Sequence, residues 1–348
     1  MQYPSCMNQI WISKAGGPEV LEIRETSNPV PGAGEMLVDV KAVGVNFADL
    51  MARAGKYGAA PPIPCVVGYE IAGEVKSAGP DAGGSGISFK PGDRVMGLTH
   101  FGGYSSMVSV PAAQLYRIPD TMSFSQAAAI PVNYFTAYLA LIRFCNAQPG
   151  EYVLILNAGG GVGVAAIQLA KHLGAKIFGT ASEWKHARLR ELGAHEVIDY
   201  RATDWPTELL RRSGGEKMHA VLDPIGGRNL AKDLTVMGQL ARLAAYGFSE
   251  PVRNGDRPLL PTLRSLFAMP KIKMVALLTN NWNIGGLNLA RLWPEIVRLR
   301  SVGAEILRLW DEGAIRPEIA AEIPFSEAPE AHRLLTERRN LGKVLLIP

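Results

Sequence analysis

The sequence predicts an α/β protein in which a doubly wound parallel sheet is combined with a second, β-rich domain. From Tyr152 to about residue 250, apolar strand segments alternate with helical segments. Repeated βα units of this kind form a parallel sheet with helices on both faces. Residues 1–120 instead carry strand patterns separated by dense Gly and Pro turns, and the chain ends on another strand pattern, KVLLIP. The β-rich domain is therefore expected to be discontinuous and to flank the parallel sheet.

Length and composition are those of an ordinary globular protein of about two domains. The 348 residues are 47% apolar and 20% charged, and the net charge is +4. So weak a positive charge does not indicate a nucleic-acid partner. Three scattered cysteines, Cys6, Cys65 and Cys145, provide neither a disulfide framework nor a cysteine zinc site, which favours a reducing, cytoplasmic location. No signal peptide is expected from the first residues.

In the first part, period-two alternation and β-branched runs predict strands at LEIRET, MLVDVKAVGV, IAGEVKSAG, DRVMGL and SMVSVP. A short helix is predicted at FADLMARAG, and the whole is consistent with a barrel-like domain. Residues 121–142 then carry no charge and are long enough to span a bilayer. Because Pro131, Asn133 and two serines interrupt this stretch, we expect two short buried segments instead of a transmembrane helix.

The parallel sheet is predicted to begin at VLILNAGGGVG, residues 153–163, where a buried strand runs into a glycine turn and a helix from Val164 to Leu173. This layout is typical of a dinucleotide-binding turn, in which the helix N-terminus receives the pyrophosphate. In the G-x-G-x-x-G frame, however, the first glycine is replaced by Ala158. The pattern by itself is also compatible with an ordinary βα loop.

Further strands are predicted at KIFGTAS, EVIDY, AVLDPI and RLAAYGF, with helices between them such as 185–193. The end of the second strand normally selects the cofactor through the ribose 2′-position, about 20 residues past the turn. Ser182 lies 19 residues after Gly163, and Lys185 follows one turn later. A hydroxyl and a cation suit a 2′-phosphate, so NADP is favoured. Should the strand end be displaced by one residue, Glu183 would instead favour NAD.

Residues 251–281 interrupt the alternation with four prolines and five basic residues, Arg253, Arg257, Arg264, Lys271 and Lys273. This basic insert is interpreted as a solvated helical surface segment. The alternative is a basic amphipathic face that contacts an anionic membrane or a partner. A strand at Asn283–Leu289, a long amphipathic helix at 292–312, a strand at PEIAAEIPF and a short helix through Arg339 complete the chain.

The motifs taken together resemble the quinone oxidoreductase (zeta-crystallin-like) group of the medium-chain dehydrogenase/reductase superfamily. The resemblance rests on GVNFADLMARAGKY, GYEIAGEV, PGDRVMG, NYFTAYLAL, NAGGGVGVAAIQLAK, LGAHEVIDY, DPIGG and GKVLLIP. NFADLMAR, VNYFTAY and FGTAS bring the chain nearest to the vesicle amine transport protein-like branch. An alanine in the glycine frame is usual in this group.

The resemblance implies a GroES-like catalytic domain at 1–128 and 290–348 and a Rossmann domain at 129–289. It implies bound NADPH, a small electrophilic acceptor as substrate, and a homodimer that extends its sheets through the edge strand near 283–289. Zinc-dependent relatives bind their metal through Gly-His-Glu, whereas this chain has Gly68-Tyr69-Glu70. No zinc is therefore expected, and the reaction implied is hydride transfer to a quinone or an α,β-unsaturated carbonyl compound.

Residue by residue, the resemblance assigns Asn46 to orient the nicotinamide or substrate oxygen and Tyr57 to donate a proton or only to cover the cleft. Asp49 is as readily structural, and Met51 occupies a position that often carries tyrosine, which predicts a more apolar pocket. The predicted cofactor contacts are Asn46, Thr136, Gly160, Gly161, Val162, Gly163, Ser182, Lys185, Tyr200, Tyr246, Gly247, Asn340 and Lys343.

Two other functions fit the same sequence. One is an enoyl-thioester reductase of a biosynthetic pathway, because FGTAS and the glycine turn also resemble the reductase modules of polyketide synthases. The other is an NADPH-binding scaffold or membrane-associated protein without turnover, in which the basic insert makes a weak anionic membrane contact.

Overall fold

The computed structural model describes residues 6–82, 87–249 and 267–348. Three sheets lie within these residues, of three, six and seven strands. The predicted fold, a GroES-like β domain with a Rossmann-type parallel sheet, is confirmed by this arrangement.

The β-rich part is built from a seven-stranded sheet and a small three-stranded sheet. Its strands are β1 (Cys6–Ile12), β2 (Leu21–Ser27), β3 (Glu35–Val45), β4 (Cys65–Val66), β5 (Glu70–Ala78), β6 (Arg94–Leu98), β7 (Met107–Pro111), β8 (Leu115–Arg117), β15 (Ile319–Pro324) and β16 (Lys343–Ile347). The small sheet has the order β2-β1-β4, and the large one β15-β16-β3-β5-β6-β8, with β7 paired to β3. Because β16 pairs antiparallel with β3, the end of the chain completes the large seven-stranded sheet.

The parallel sheet has the order β11-β10-β9-β12-β13-β14, and all of its neighbours are parallel. Its strands are β9 (Tyr152–Ile155), β10 (Lys176–Thr180), β11 (Glu196–Ile198), β12 (Met218–Asp223), β13 (Met237–Ala245) and β14 (Asn283–Gly286). The strand order changes direction next to β9, and ligands of such sheets bind at that switch point, beyond the carboxyl ends of the strands.

Helices cover both faces of the parallel sheet and bridge it to the β-rich part. They are α1 (Phe47–Arg53), α2 (Phe124–Ala128), α3 (Pro131–Tyr138), α4 (Gly161–Leu173), α5 (His186–Leu192), α6 (Trp205–Arg212), α7 (Asn229–Val236), α8 (Met274–Asn280), α9 (Ile296–Asp311) and α10 (Ala328–Thr336). The uncharged stretch forms the two short segments α2 and α3, and α3 continues into a π-helical turn at Leu139–Phe144. None of the helices in the described ranges combines the length and apolarity that crossing a bilayer demands.

Several element ends differ from the sequence prediction for local reasons. The long helix α9 begins at Ile296 instead of 292, because Pro294 lies in a 3-10 turn at Trp293–Glu295. The last helix ends at Thr336 instead of Arg339, and Arg338 adopts a left-handed φ of 57°. This turn directs the chain back toward β16.

Most of the basic insert, residues 251–266, lies outside the described residues. Its described end forms α8, on which Met274, Val275 and Leu278 are about two-thirds exposed or more, at 67%, 71% and 70%. The strand that follows, β14, is shorter than predicted and pairs only with β13 among the described strands. Its free edge is where the predicted homodimer contact would form, and that contact stays a prediction.

Candidate active site

A cleft of about 800 Å³ runs between the β-rich part and the carboxyl end of the parallel sheet. Its walls come from the β3–α1 junction, α3, the glycine turn, the end of β13 and the C-terminal strand. All predicted site residues except Ser182 line it, namely Asn46, Tyr57, Thr136, Gly160, Gly161, Val162, Gly163, Lys185, Tyr200, Tyr246, Gly247, Asn340 and Lys343.

The glycine turn lies where close packing leaves no room for side chains. A Cβ on Gly161 would overlap the side chain of Asn133, and a Cβ on Gly163 would lie 2.5 Å from the carbonyl oxygen of Asn157. A Cβ on Gly160 would lie 2.8 Å from Asn157 Nδ2. Helix α4 therefore begins directly at the turn, and its first free N–H groups face the cleft, where an anion is stabilised.

Ala158, the residue that replaces the first glycine of the frame, is accommodated by the neighbouring strand. A Cβ on Gly179 of β10 would lie only 2.8 Å from the Ala158 methyl group. Ala158 is fully buried and is absent from the residues with positive φ, whereas Asn157 has a φ of 52°. The left-handed residue of the turn is thus Asn157, one position before Ala158. Gly179 leaves the space that the Ala158 methyl group needs.

The C-terminal strand is hydrogen-bonded to the glycine turn across the cleft. Gly342 N donates to the Gly159 carbonyl at 3.0 Å, and Gly160 forms an isolated bridge with Gly342. Gly342 has a φ of 85°, and a Cβ there would overlap the Glu318 carbonyl. Asn340 donates from Nδ2 to the Gly342 carbonyl at 2.9 Å. These contacts place Asn340 beside the turn, and the predicted contacts of Asn340 and Lys343 with a cofactor stay predictions.

One end of the cleft holds two cations, Lys185 and Arg338, that pair with no carboxylate among the residues the structure describes. Lys185 is 4% exposed and, within the described residues, forms no ion pair. Its burial lowers the pKa of its ammonium group to about 8, and the positive charges of Arg201 and Arg338 add to this effect. Arg338 donates to the Tyr200 hydroxyl at 3.1 Å. Together these groups form a site for an anion with several negative charges.

The two residues that were to decide between NADP and NAD lie differently from expectation. Ser182 is buried, at 6% exposure, beside Tyr200, and does not line the cleft. Glu183 is exposed and is also not part of the lining. The acid that would bind a ribose 2′-hydroxyl is therefore turned away from the cleft, while Lys185 is turned toward it.

A buried ion pair lies where the β3–α1 junction meets the C-terminal strand. Glu70 is fully buried and pairs with Lys343, which is 3% exposed. Asn46 Nδ2 donates to Glu70 at 2.9 Å, and Lys343 donates to Asn46 Oδ1 at 2.7 Å. The second carboxylate oxygen of Glu70 accepts from Val132 N at 2.7 Å. The side chain of Asn46 is thus fixed by Glu70 and Lys343 at the edge of the cleft.

A second buried network holds the loop before Tyr69. Asp49 accepts hydrogen bonds from the backbone N–H groups of Asn46 and Gly68 and from the Tyr104 hydroxyl. Burial raises the pKa of Asp49 to about 7, and the hydrogen bonds from Asn46 and Tyr104 and the positive charge of Lys343 oppose the rise. Asp49 therefore acts as a structural residue, one of the two roles that its sequence position allowed.

The proton positions in this network follow from its donors. Arg53 can only donate, so His332 Nδ1, 3.1 Å away, accepts and the imidazole is neutral. His332 Nε2 then donates to Tyr104 at 2.9 Å, and Tyr104 donates to Asp49. Burial holds the pKa of His332 well below its usual value, which agrees with the neutral tautomer.

Two tyrosines lie together on the β-rich wall of the cleft. Tyr57 is half-buried, and its ring meets that of Tyr69 edge-on at 6.2 Å between centroids. Tyr69 is 5% exposed and packs on Phe101 at 5.1 Å. Met51 is buried and is not part of the lining. Tyr69, to which the sequence analysis gave no role in the site, contributes a second phenol to this wall.

Comparison with known proteins identifies families and relatives to which the chain is similar. The family model described as alcohol dehydrogenase GroES-like domain matches residues 32–120, and the one described as zinc-binding dehydrogenase matches residues 192–346. The human synaptic vesicle membrane protein VAT-1 homolog is 38% identical over 330 residues, which are 94% of this chain and 82% of that protein. The quinone oxidoreductase of Lama guanicoe is 32% identical over 346 residues, 98% of this chain and 97% of that protein.

Among solved structures, Escherichia coli quinone oxidoreductase complexed with NADPH matches with a TM-score of 0.84 at 30% identity, over 98% of this chain and 100% of that one. The chain belongs to the quinone oxidoreductase-like group of the medium-chain dehydrogenase/reductase superfamily. The predicted VAT-1-like branch within the group is confirmed as well. The protein is thus an oxidoreductase by family.

The quinone oxidoreductase-like fold supplies cleft residues that sequence reasoning did not assign. They include Tyr69, Asn133, Asn157, Arg228, Asn288, Trp293 and Arg338. Arg338 was within reach of inference, because it is a cation only two residues before the predicted Asn340. Tyr69 had been noted only as the residue in place of a metal-binding histidine.

A metal site would require several ligand side chains close together in space. Within residues 6–82, 87–249 and 267–348, no group of three or more His, Cys, Asp or Glu side chains is arranged to hold a metal ion. The expected zinc independence stays a prediction.

Proposed function

We propose that the protein is an NADPH-dependent reductase that transfers hydride to a quinone or an α,β-unsaturated carbonyl compound. The observation that carries the proposal is the cation site of Lys185 and Arg338, at the end of the cleft that begins at the glycine turn. NADP differs from NAD by one phosphate on the adenosine ribose, and a buried ammonium group that forms no ion pair within the described residues suits that phosphate. Glu183, which would favour NAD, faces away from the cleft.

The cleft residues fit NADPH along its length. Lys185, Arg338 and Tyr200 would hold the 2′-phosphate, and the N–H groups at the start of α4 would hold the pyrophosphate. Thr136, at 7% exposure, and Tyr246 would flank the nicotinamide. Asn340 would lie beside the pyrophosphate, because the Gly342 that it contacts is hydrogen-bonded to the glycine turn, and Lys343 would act mainly through Asn46.

The chemistry assigned to the chain's own residues is orientation and charge stabilisation. When bound, NADPH supplies a hydride to an electrophilic carbon of the acceptor. Asn46 is fixed by Glu70 and Lys343, so it can orient a neighbouring amide or carbonyl group without moving. Tyr57 stands on the acceptor side and stabilises negative charge on the acceptor's oxygen, with the proton delivered by Tyr57 or by water.

The test begins with fluorescence titrations of NADPH and NADH, followed by an acceptor screen with the preferred cofactor. The screen compares a quinone, a simple enone and a crotonyl thioester. We expect tighter NADPH binding and oxidation of NADPH by the quinone or the enone. Tighter NADH binding would contradict the role of Lys185. Activity with the thioester alone would instead establish the alternative, an enoyl-thioester reductase.

The second candidate function, a binding role at a membrane, rests on the exposed side chains of α8. Met274, Val275 and Leu278 project from it next to Lys271 and Lys273, and apolar residues beside cations suit an anionic lipid surface. The relatives named synaptic vesicle membrane proteins agree with this candidate. Co-sedimentation with phosphatidylserine vesicles tests it, with a Met274→Ser, Val275→Ser, Leu278→Ser variant as control. Equal sedimentation of both proteins would exclude α8 as the contact.

A further inference from the structure

The hydroxyl group of Tyr69 is the unusual feature of the cleft. The side chain is 5% exposed, yet its oxygen has no hydrogen-bond partner within the described residues. A buried hydroxyl without a partner is less stable than one whose hydrogen bonds are satisfied. Since Tyr69 also lines the cleft, a ligand atom can provide the missing partner.

The surroundings hold Tyr69 in place, and within the described residues its hydroxyl makes no hydrogen bond of standard geometry, although the Tyr57 phenol lies close enough to influence it. Its carbonyl accepts from Thr99 N at 2.7 Å, and the Thr99 hydroxyl donates to the Gly68 carbonyl at 2.9 Å. Glu70, the adjacent acid, is engaged by Lys343, Asn46 and Val132. The ring is wedged between Tyr57 and Phe101.

Tyr69 also stays protonated. Burial raises the pKa of its phenol far above the ordinary value, and the nearby Asp49 charge and Tyr57 act in the same direction. Such a group is a hydrogen-bond donor over the whole physiological pH range and does not itself release a proton. The same cleft also has apolar lining residues, among them Leu287, Leu289 and Trp293, and Trp293 belongs to the aromatic cluster that reaches Tyr69 through His100 and Phe101. An acceptor with a hydrophobic body and one carbonyl oxygen matches these walls.

We propose that Tyr69 donates a hydrogen bond to the carbonyl oxygen of the acceptor, so that Tyr57 and Tyr69 form a two-phenol site for the developing oxyanion. This rests on the proposed reductase function and deepens it. The hydride and its electron pair form a C–H bond at the electrophilic carbon, the C=C pair shifts toward the carbonyl, and its oxygen gains the charge. A proton from water then completes the reduction, and NADPH is oxidised to NADP⁺. Tyr69 stabilises the charge but keeps its own proton.

The test is Tyr69→Phe, with Tyr57→Phe alongside and Tyr116→Phe as the matched control. Tyr116 also has a buried hydroxyl without a partner in the described chain, but it is not part of the cleft lining. Because neither hydroxyl makes a hydrogen bond of standard geometry to the described residues, Tyr69→Phe and Tyr116→Phe should both fold at least as stably as the wild type. We expect Tyr69→Phe to lower kcat/KM for a linear enone about 10- to 100-fold and to leave NADPH affinity unchanged. Tyr116→Phe should match the wild type throughout.

A second measurement distinguishes failure of the Tyr69 proposal from failure of the proposed reductase function. The conjugated aldehyde 4-dimethylaminocinnamaldehyde absorbs at longer wavelength when its carbonyl oxygen accepts hydrogen bonds. Bound beside NADP⁺, it should absorb at shorter wavelength in Tyr69→Phe than in the wild type. Equal spectra, or equal kcat/KM, would overturn the assignment of Tyr69. If none of the tested acceptors supports NADPH oxidation by the wild-type protein while the spectra differ, the proposed reductase function fails and the hydrogen bond from Tyr69 stands.

Discussion

Lys343 Nζ donates a hydrogen bond of 2.7 Å to Asn46 Oδ1, joining two residues that are 297 positions apart. The same ammonium group pairs with the fully buried carboxylate of Glu70, which Asn46 also contacts. One side chain from the last strand therefore neutralises a buried acid and fixes the amide that faces the cleft. Closure of the sheet by β16 is what assembles this part of the site.

Removing the cation should destabilise the fold more than removing both charges. Lys343→Met leaves the Glu70 carboxylate buried without its counter-ion, so the free energy of unfolding should fall by about 3–5 kcal/mol. In the Glu70→Gln, Lys343→Met double variant no charge is buried, and much of that loss should be recovered. Urea unfolding of the wild type, both single variants and the double variant measures the coupling. Additive single effects would show that the pair is energetically independent.

The steric relation between Ala158 and Gly179 predicts a compensating pair. Gly179→Ala would bring two methyl groups to 2.8 Å and should lower the free energy of unfolding by about 1–3 kcal/mol. Adding Ala158→Gly removes one methyl group and should restore part of this stability. Thermal unfolding of the three variants decides the matter. A double variant no more stable than Gly179→Ala would locate the strain elsewhere.

The sequence predicted what is local in the chain. The glycine turn, Lys185 and most strands depend on neighbours a few residues away, and they are found close to their predicted positions, whereas β1, β4 and β8 were not predicted. Ser182 shows the limit of spacing arguments. Counting places it at the strand end, but β10 stops at Thr180 and the next residues turn Ser182 inward, toward Tyr200.

What escaped prediction depends on contacts between distant parts of the chain. Arg338 reaches Tyr200 only because α10 ends early and the chain reverses at a left-handed residue. The orphaned hydroxyl of Tyr69 is visible only when the surrounding hydrogen bonds are known, since in sequence it is merely a tyrosine between Gly68 and Glu70. No residue pattern encodes the lack of a partner.

Cofactor selectivity should depend on Lys185 and Arg338. A charge-assisted hydrogen bond contributes about 1.5–3 kcal/mol, so Lys185→Met and Arg338→Met should each weaken NADPH binding about 10- to 100-fold. Affinity for NADH, which lacks the 2′-phosphate, should change little. Lys176→Met is the matched control, because it removes the same charge from a lysine that contacts Tyr152 and is not part of the cleft lining. An equal loss for both cofactors would place the cations at the pyrophosphate.

The pH dependence of NADPH binding tests the same lysine without changing the fold. Burial lowers the pKa of Lys185 to about 8, so its ammonium form is complete below that pH and is lost above it. In the proposed binding mode the 2′-phosphate binds the ammonium form, so binding above pH 8 would take up a proton, and the affinity should fall up to about tenfold per pH unit between 8 and the pKa in the complex. NADH binding should not share this fall, and neither should NADPH binding to Lys185→Met. Fluorescence titrations from pH 7 to 10 measure these affinities. If the affinity of the wild type for NADPH is constant over this range, Lys185 does not hold the phosphate.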